Sequence, residues 1–434
     1  MIEPEILFEE VGRMKRFLVF TILLSFLLTF VFAKTTIKFM EVITSPDRTK
    51  FLKGLLSEFE KRYPDIEVEL ISVPWDQSYE KLMSMVVAGN PPDVVEMPEK
   101  WVARFAAMGK LVNLENYLKD WPELDKFVEP ALKAMKIYKN EPYIIPYGFY
   151  IRIMFYRKDW LEEKGLSVPQ TTDEFIEVVK KLTDPAKGRF GTYIRGAVGG
   201  WDTIKYWISA YLGTAEYFDE EGRCLLRKPE AAEGLKTYVS FYKNGWAPPE
   251  SVNWGYNEIV AGFYTGVVGI IFQDPEVIGT CKKHMEEGTW MVSKLPIGPH
   301  NKTFVKLGFA GWSMFKTGKE DAAWKLVSFL ASEEIGMKWE KYLNLVPAYK
   351  KALEDPFYME DPYRKVLVEE LNDPRYEFYF EPWYLPEWAE FFQKLSVQEF
   401  QKVLLGKEAP EKALEIWSDF LEKAYKKWIE KHGK

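Results

Sequence analysis

The stretch FEKRYPDIEVELISVPW, residues 59–75, decides the fold. Its first residues close a helix: Phe51, Leu52, Leu55, Leu56 and Phe59 recur at helical spacing, and Tyr63-Pro64 stops the run. Residues 66–73 then form a β-branched strand that ends near Trp75. Upstream, residues 36–43 read as another strand, and Ser45-Pro46-Asp47 supplies an N-cap with proline in the first turn of the helix. Downstream, Leu82, Met83, Val86 and Val87 share one helical face, closed by Gly89 and Asn90-Pro91-Pro92, and residues 93–97 form a third short strand. Strands alternating with helices predict an α/β domain with a mainly parallel sheet. In such sheets ligands sit beyond the carboxyl ends of the strands, which places Thr44, Trp75 and Glu96 along one common edge.

At 434 residues the chain is too long for one ordinary core, so two domains are expected. Hydrophobic residues make up 47% and charged residues 28%, a globular balance. The aromatic share of 16%, with 16 Trp, 24 Tyr and 30 Phe, exceeds what a core alone asks for and is a first functional hint. A net charge of -7 without a basic stripe argues against a nucleic-acid partner. Cys224 and Cys281 are the only thiols and His284, His300 and His432 the only imidazoles, with no metal-ligand spacing among them, so no metal or cofactor is expected. The two cysteines either form one disulfide or stand as separate buried thiols.

Residues 14–34, MKRFLVFTILLSFLLTFVFAK, carry Lys15 and Arg16, an apolar run, and small residues at Val31 and Ala33. They read as a secretory signal cut after Ala33, with an uncleaved anchor as the alternative. Residues 1–13 are acidic, which suits no signal, so translation is expected to begin at Met14. The absence of a cysteine near the cleavage position excludes the usual bacterial lipid anchor.

A second unit starts near Tyr143. Residues 151–158 are strand-like, Thr172-Asp173-Glu174 caps a helix bearing Phe175, Val178, Val179 and Leu182, and residues 266–272 are a buried-type strand leading into Gln273-Asp274-Pro275-Glu276. The last hundred residues are mostly helical.

These punctuation marks, in this order, resemble extracellular solute-binding protein family 1, the sugar receptors of ABC importers. FEKRYPDIEVELISVPW resembles that family's first helix and second strand, AGNPPDVVEM its Gly-x-x-Pro-Asp-Val element, FAAMGKLVNL its Ala-x-x-Gly-x-Leu-x-x-Leu, MFYRKDWLEEKGL its Tyr-Asn-Lys-Asp-Leu stretch, and VPQTTDEFIEVVKKLT its Pro-x-Thr-Trp-Asp-Glu-Phe helix start. Arg157, Thr172 and Gln273-Asp274-Pro275 depart from the family's usual residues. The resemblance covers the whole exported chain. It implies two hinged α/β lobes of the periplasmic-binding-protein type, each with a mainly parallel sheet flanked by helices. Residues 34–143 with 308–341 would form one lobe, and residues 144–307 with 342–434 the other. It further implies an extracytoplasmic, monomeric receptor that is not an enzyme. The receptor would bind a sugar, expected to be an oligosaccharide, between the lobes and hand it to the importer's permease. A secreted glycoside hydrolase, or a receptor for another solute such as a peptide, is the alternative.

A sugar has apolar faces and a rim of hydroxyls, so its site needs flat rings and planar polar groups. The candidates are Thr44, Trp75, Gln77 and Glu96 on the first side, and Phe149, Tyr150 and Arg152 past the crossing. Trp201 follows Gly199-Gly200, where backbone could approach a ligand. Gln273, Asp274, Glu276, Trp312, Tyr349, Trp383 and Trp388 complete the set. Trp101 and Trp207 read as core, Glu96 and Asp274 also read as helix caps, and Arg152 also reads as the partner of an acid across the hinge. In KLGFAGWSMF, residues 306–315, Gly308 and Gly311 are expected to let the backbone bend beside Trp312, a flat ligand platform.

Overall fold

The protein is described by a computed structural model over residues 34–433, so the signal segment and the start at Met14 lie outside the described residues. Strand β1 (Thr35–Glu41) pairs in parallel with β2 (Ile66–Ser72) along its full length and, through Phe39 and Met40, with β3 (Val94–Pro98). The link between β1 and β2 is helix α1 (Pro46–Arg62). Its Ser45 cap accepts from the Arg48 amide at 3.3 Å, Pro46 fixes the first turn, and Lys61 and Arg62 close the last. Leu52, Leu55, Leu56 and Phe59 are its buried stripe. Helix α2 (Trp75–Val87) links β2 to β3, and α3 (Glu99–Ala107) follows β3.

The sheet is completed from far along the chain, in the order β2-β1-β3-β9-β4, by β9 (Gly308–Met314) and β4 (Ile145–Tyr150), both running with antiparallel pairings. The pairing of β4 with β9 is interrupted by a register shift between Pro146 and Phe149. Gly311 serves that approach: a Cβ there would lie 2.2 Å from the carbonyl oxygen of Ile145. The small residues around Phe309 therefore let two backbones meet.

Directly after β4 the chain enters a second sheet as β5 (Ile153–Arg157), flanked by β6 (Ile270–Gln273) and β7 (Trp290–Ser293). Both pairings are antiparallel, a correction to the expected mainly parallel second sheet. Helix α8 (Val277–His284) returns the chain over the sheet, so β6 and β7 run the same way, and β5 lies between them in the opposite direction. Packed around this sheet are α4 (Thr172–Leu182), α5 (Trp201–Leu212), α6 (Pro229–Lys243) and α7 (Tyr256–Tyr264). The cap of α4 is Thr171, one residue earlier than the expected Thr172, with Glu174 answering back to the Gln170 amide at 2.7 Å.

A parallel pair of β8 (Thr303–Lys306) with β10 (Tyr376–Tyr379), and the helices α9 (Glu320–Leu330), α10 (Glu333–Leu343) and α11 (Pro410–His432), complete the frame. Cys224 and Cys281 are buried and unbonded. Among the described residues no helix is long and apolar enough to cross a membrane.

Candidate functional site

Between the two sheets lies a cleft of about 1250 Å³. One wall comes from the β1–α1 turn, the start of α2 and the β3–α3 junction. The other comes from residues before and at the start of α5, from α7, and from the β6–α8 turn, with residues 306–310 between them.

The cleft's deepest ion cluster centres on Arg48. Its place in the first turn of α1 follows from the Ser45 cap. Burial leaves the side chain only 4% exposed, and the charge is answered from both sides. Arg48 Nη2 pairs with Glu96 on β3 and donates to the Tyr147 hydroxyl at 3.1 Å, while Nη1 donates to Glu276, just before α8, at 2.9 Å. The Trp339 ring lies 5.0 Å from the guanidinium carbon. Glu96 is also committed to the backbone, accepting from the amides of Val42 and Ile43 at 3.1 Å each. Burial pushes the Glu276 carboxyl up and Arg48 pulls it back.

A second cluster gathers at Asp202. One carboxylate oxygen faces Arg152 Nη2 at 3.1 Å and the other faces Lys306 Nζ at 2.7 Å. Burial alone would raise this carboxyl, but Lys306 and then Arg152 outweigh it and hold the group well below the usual carboxylate range. Arg152 also donates to Thr203 at 2.7 Å. Lys100 pairs with Glu99 at 3.1 Å and sits 5.3 Å from the Trp75 ring and 4.6 Å from Phe392. Trp75 is stacked at 5.5 Å on the buried Trp101, which fixes its plane at the cleft wall.

Of the residues expected from the sequence, Thr44, Trp75, Tyr150, Arg152, Asp274 and Glu276 line this cleft. The other nine are placed elsewhere. Gln77 is exposed on α2. Glu96 is buried behind Arg48, and Gln273 is fully buried at the end of β6. Phe149 packs on Phe309 and exchanges backbone hydrogen bonds with Val346. Trp201 and Trp388 lie in an aromatic core with Phe391, Trp201 also meeting Trp417. Trp312 packs among Phe39, Tyr147 and Trp339. Tyr349 donates to the Ala331 carbonyl at 3.0 Å, and Trp383 packs edge-on against Phe309. Nine of the 16 tryptophans are fully buried, so most of the aromatic surplus is core.

Arg48, Lys100, Arg195, Asp202, Tyr256 and Lys306 line the cleft without having been singled out in the sequence. Asp202 beside Trp201, and Lys306 two residues before the glycine-rich strand β9, had a positional signal. Arg48 had none, because its cap pattern accounts for the local residues without it. Flat rings beside a fan of donors and carboxylates suit a ligand with apolar faces and a rim of hydroxyls.

The sequence profile of the bacterial extracellular solute-binding protein family matches residues 45–337. The chain is 26% identical over 399 residues to a galactooligosaccharide-binding protein of Bacillus subtilis, covering 88% of this chain and 89% of that one. It is 28% identical over 327 residues to a maltotriose-binding protein of Pyrococcus abyssi, covering 73% and 67%. Among solved structures, an ABC transporter solute-binding protein of Thermotoga lettingae, bound with α-D-tagatose, superposes with a TM-score of 0.80 at 21% identity, covering 90% of this chain and 100% of that one. With the profile match spanning more than half of its length, the chain belongs to the bacterial extracellular solute-binding protein family.

Proposed function

We propose that the protein is the extracytoplasmic sugar receptor of an ABC importer, taking an oligosaccharide into the cleft and presenting it, as a monomer, to the membrane permease. The observation that carries this reading is the cleft itself. At about 1250 Å³ it is larger than the roughly 300–1,000 Å³ usual for small-molecule sites, and it combines Trp75, Tyr150, Tyr256 and Phe309 with hydroxyl-bonding side chains. The sugars named for the Bacillus and Pyrococcus relatives and for the Thermotoga structure support the same ligand class. No catalytic step is assigned.

In this reading residues 34–143 with 308–341 form one lobe and residues 144–307 with 342–434 the other, β4 being a crossing strand that stays on the first sheet. Thr44, Trp75, Tyr150, Arg152, Asp274 and Glu276 contact the ligand directly. Uptake calls for micromolar affinity, about -8 kcal/mol. Isothermal titration against mono- and oligosaccharides tests the proposal: heat at micromolar concentration, with the sugar recovered unchanged, is expected. Silence across the panel, or cleavage of the bound sugar, overturns it.

A further inference from the structure

Most charges in the cleft are paired. Arg48 is held by Glu96 and Glu276, Lys100 by Glu99, Arg152 and Lys306 by Asp202, and Lys283 by Asp47. Arg195 is different. It is 4% exposed and lines the cleft, yet its guanidinium makes one hydrogen bond, from Nε to the Val198 carbonyl at 2.9 Å. Among the described residues neither Nη atom has a hydrogen-bond or ion-pair partner. Asp202 is near enough to act on the charge, but its two oxygens are taken by Arg152 and Lys306. Asp76 also acts on it from the opposite wall without a contact.

The backbone is built around this side chain. Gly199 has φ +89°, and a Cβ there would lie 2.4 Å from the guanidinium carbon and from Nη2. The Arg195 amide donates to the Tyr238 hydroxyl at 3.2 Å. A buried guanidinium with no direct ion-pair partner carries a desolvation penalty of several kcal/mol. Burial, and then the neighbouring Arg152, press its pKa downward. A neutral ligand brings no charge to offset that penalty.

We propose that the sugar carries a carboxylate, as a uronic acid unit does, and that the Nη fork of Arg195 receives it; this rests on the sugar-receptor reading above. A guanidinium fork matches a carboxylate in two parallel hydrogen bonds. A phosphate is disfavoured, because Asp76, Asp202 and Asp274 line the same cleft and would repel two charges held on one group more strongly than the single charge of a carboxylate. Asp76 and Asp274, whose carboxylates line the cleft, accept from the hydroxyls of the remaining sugar ring.

The test is calorimetry of the purified protein with short oligomers of galacturonate, glucuronate and mannuronate, each beside its carboxyl-reduced neutral counterpart. At least one uronate should bind about tenfold or more tighter than its counterpart, the span of a hydrogen bond to a charged group. In Arg195→Gln that ratio should collapse toward one, and Arg195→Lys, which keeps the charge but loses the fork, should fall between. Thermal melting shows whether the variants fold; if they do not, the ratio measured on the natural protein still decides. Neutral sugars binding as tightly as uronates, or more so, overturns this inference alone, and no binding by either class overturns the sugar reading with it. A uronate preference that survives in a folded Arg195→Gln removes the role of Arg195.

Discussion

Trp75 and Trp312 separate two roles that a large ring can have. Trp75 begins α2 and lines the cleft wall, stacked on Trp101 with Lys100 Nζ 5.3 Å from its ring. Trp75→Ala should weaken sugar binding by about 2 kcal/mol, as loss of an aromatic anchor does, while cooperative unfolding persists; titration calorimetry and thermal melting read the two quantities. Trp312 is 1% exposed among three aromatic neighbours, so Trp312→Ala should destabilise the fold by about 3–5 kcal/mol through the cavity it leaves. Denaturant unfolding measures that loss, and an unchanged midpoint with lost affinity would reverse the assignment. The same contrast explains how far the site was legible. Residues just past a strand end in a turn, such as Thr44, Asp274 and Glu276, reach the cleft because strand ends open there. Glu96 and Gln273 lie within their strands, where the pleat decides which face a side chain takes, and both turn inward. Arg195 and Tyr256 come from loops and helix starts whose direction is set by packing between distant segments, which no local pattern records.

At the scale of elements, the β1-α1-β2-α2-β3 run was readable because caps, stops and apolar spacing all agree within short windows. Strand β9 was readable as a strand but not as an antiparallel partner of β3, and β4 was not read as a strand, the strand-like run beginning only at residue 151; β9 is separated from β4 by more than a hundred residues, and its direction depends on where the chain crosses back. The glycines of β9 show the consequence of that crossing. Gly311 is required by the carbonyl of Ile145, a backbone atom that cannot swing aside. Gly311→Ala should therefore force β4 away from β9 and lower stability by about 1–3 kcal/mol, as overpacking does. Gly308→Ala meets only side-chain atoms, of Lys306 at 3.2 Å and of Glu99 at 3.5 Å, and should cost less. Comparing the two denaturation midpoints checks this: equal losses would mean that the strand pairing tolerates the extra carbon.

For the whole molecule, Arg48 links the two sheets. It holds Glu96 on the first and Glu276 at the head of α8, whose Lys283 returns to Asp47 beside Arg48. Glu276→Gln removes the second link but leaves Arg48 with Glu96 and Tyr147, so the fold should persist while the unliganded protein opens. A larger radius of gyration by solution scattering, with affinity reduced about fivefold or more, is expected from a coupling of this size. An unchanged radius would show that closure does not depend on this pair. A second global property follows from buried carboxyls. Burial raises Glu41 to about 7, Glu370 to about 8 and Glu381 to about 7. The folded state therefore holds these protons above the pH at which the unfolded chain has released them. Wherever the native state binds more protons, stability falls as pH rises, so it should decline between about pH 4.5 and 8, by at most about 1.4 kcal/mol per unit for each such proton. Asp202 and Asp373, held below the usual range, have finished ionising before this window and add no slope to it. Lys205, lowered to about 8 by burial, acts in the opposite sense only above the window. Glu370 is the clearest single contributor: one oxygen accepts from the Leu295 amide at 3.2 Å and the other is buried without a partner, while Lys294 and Asp373 nearby oppose each other. Glu370→Gln, neutral at every pH, should flatten the decline measured by denaturant unfolding at pH 5 and pH 8, and a slope identical to that of the natural protein would show that Glu370 ionises freely in the fold.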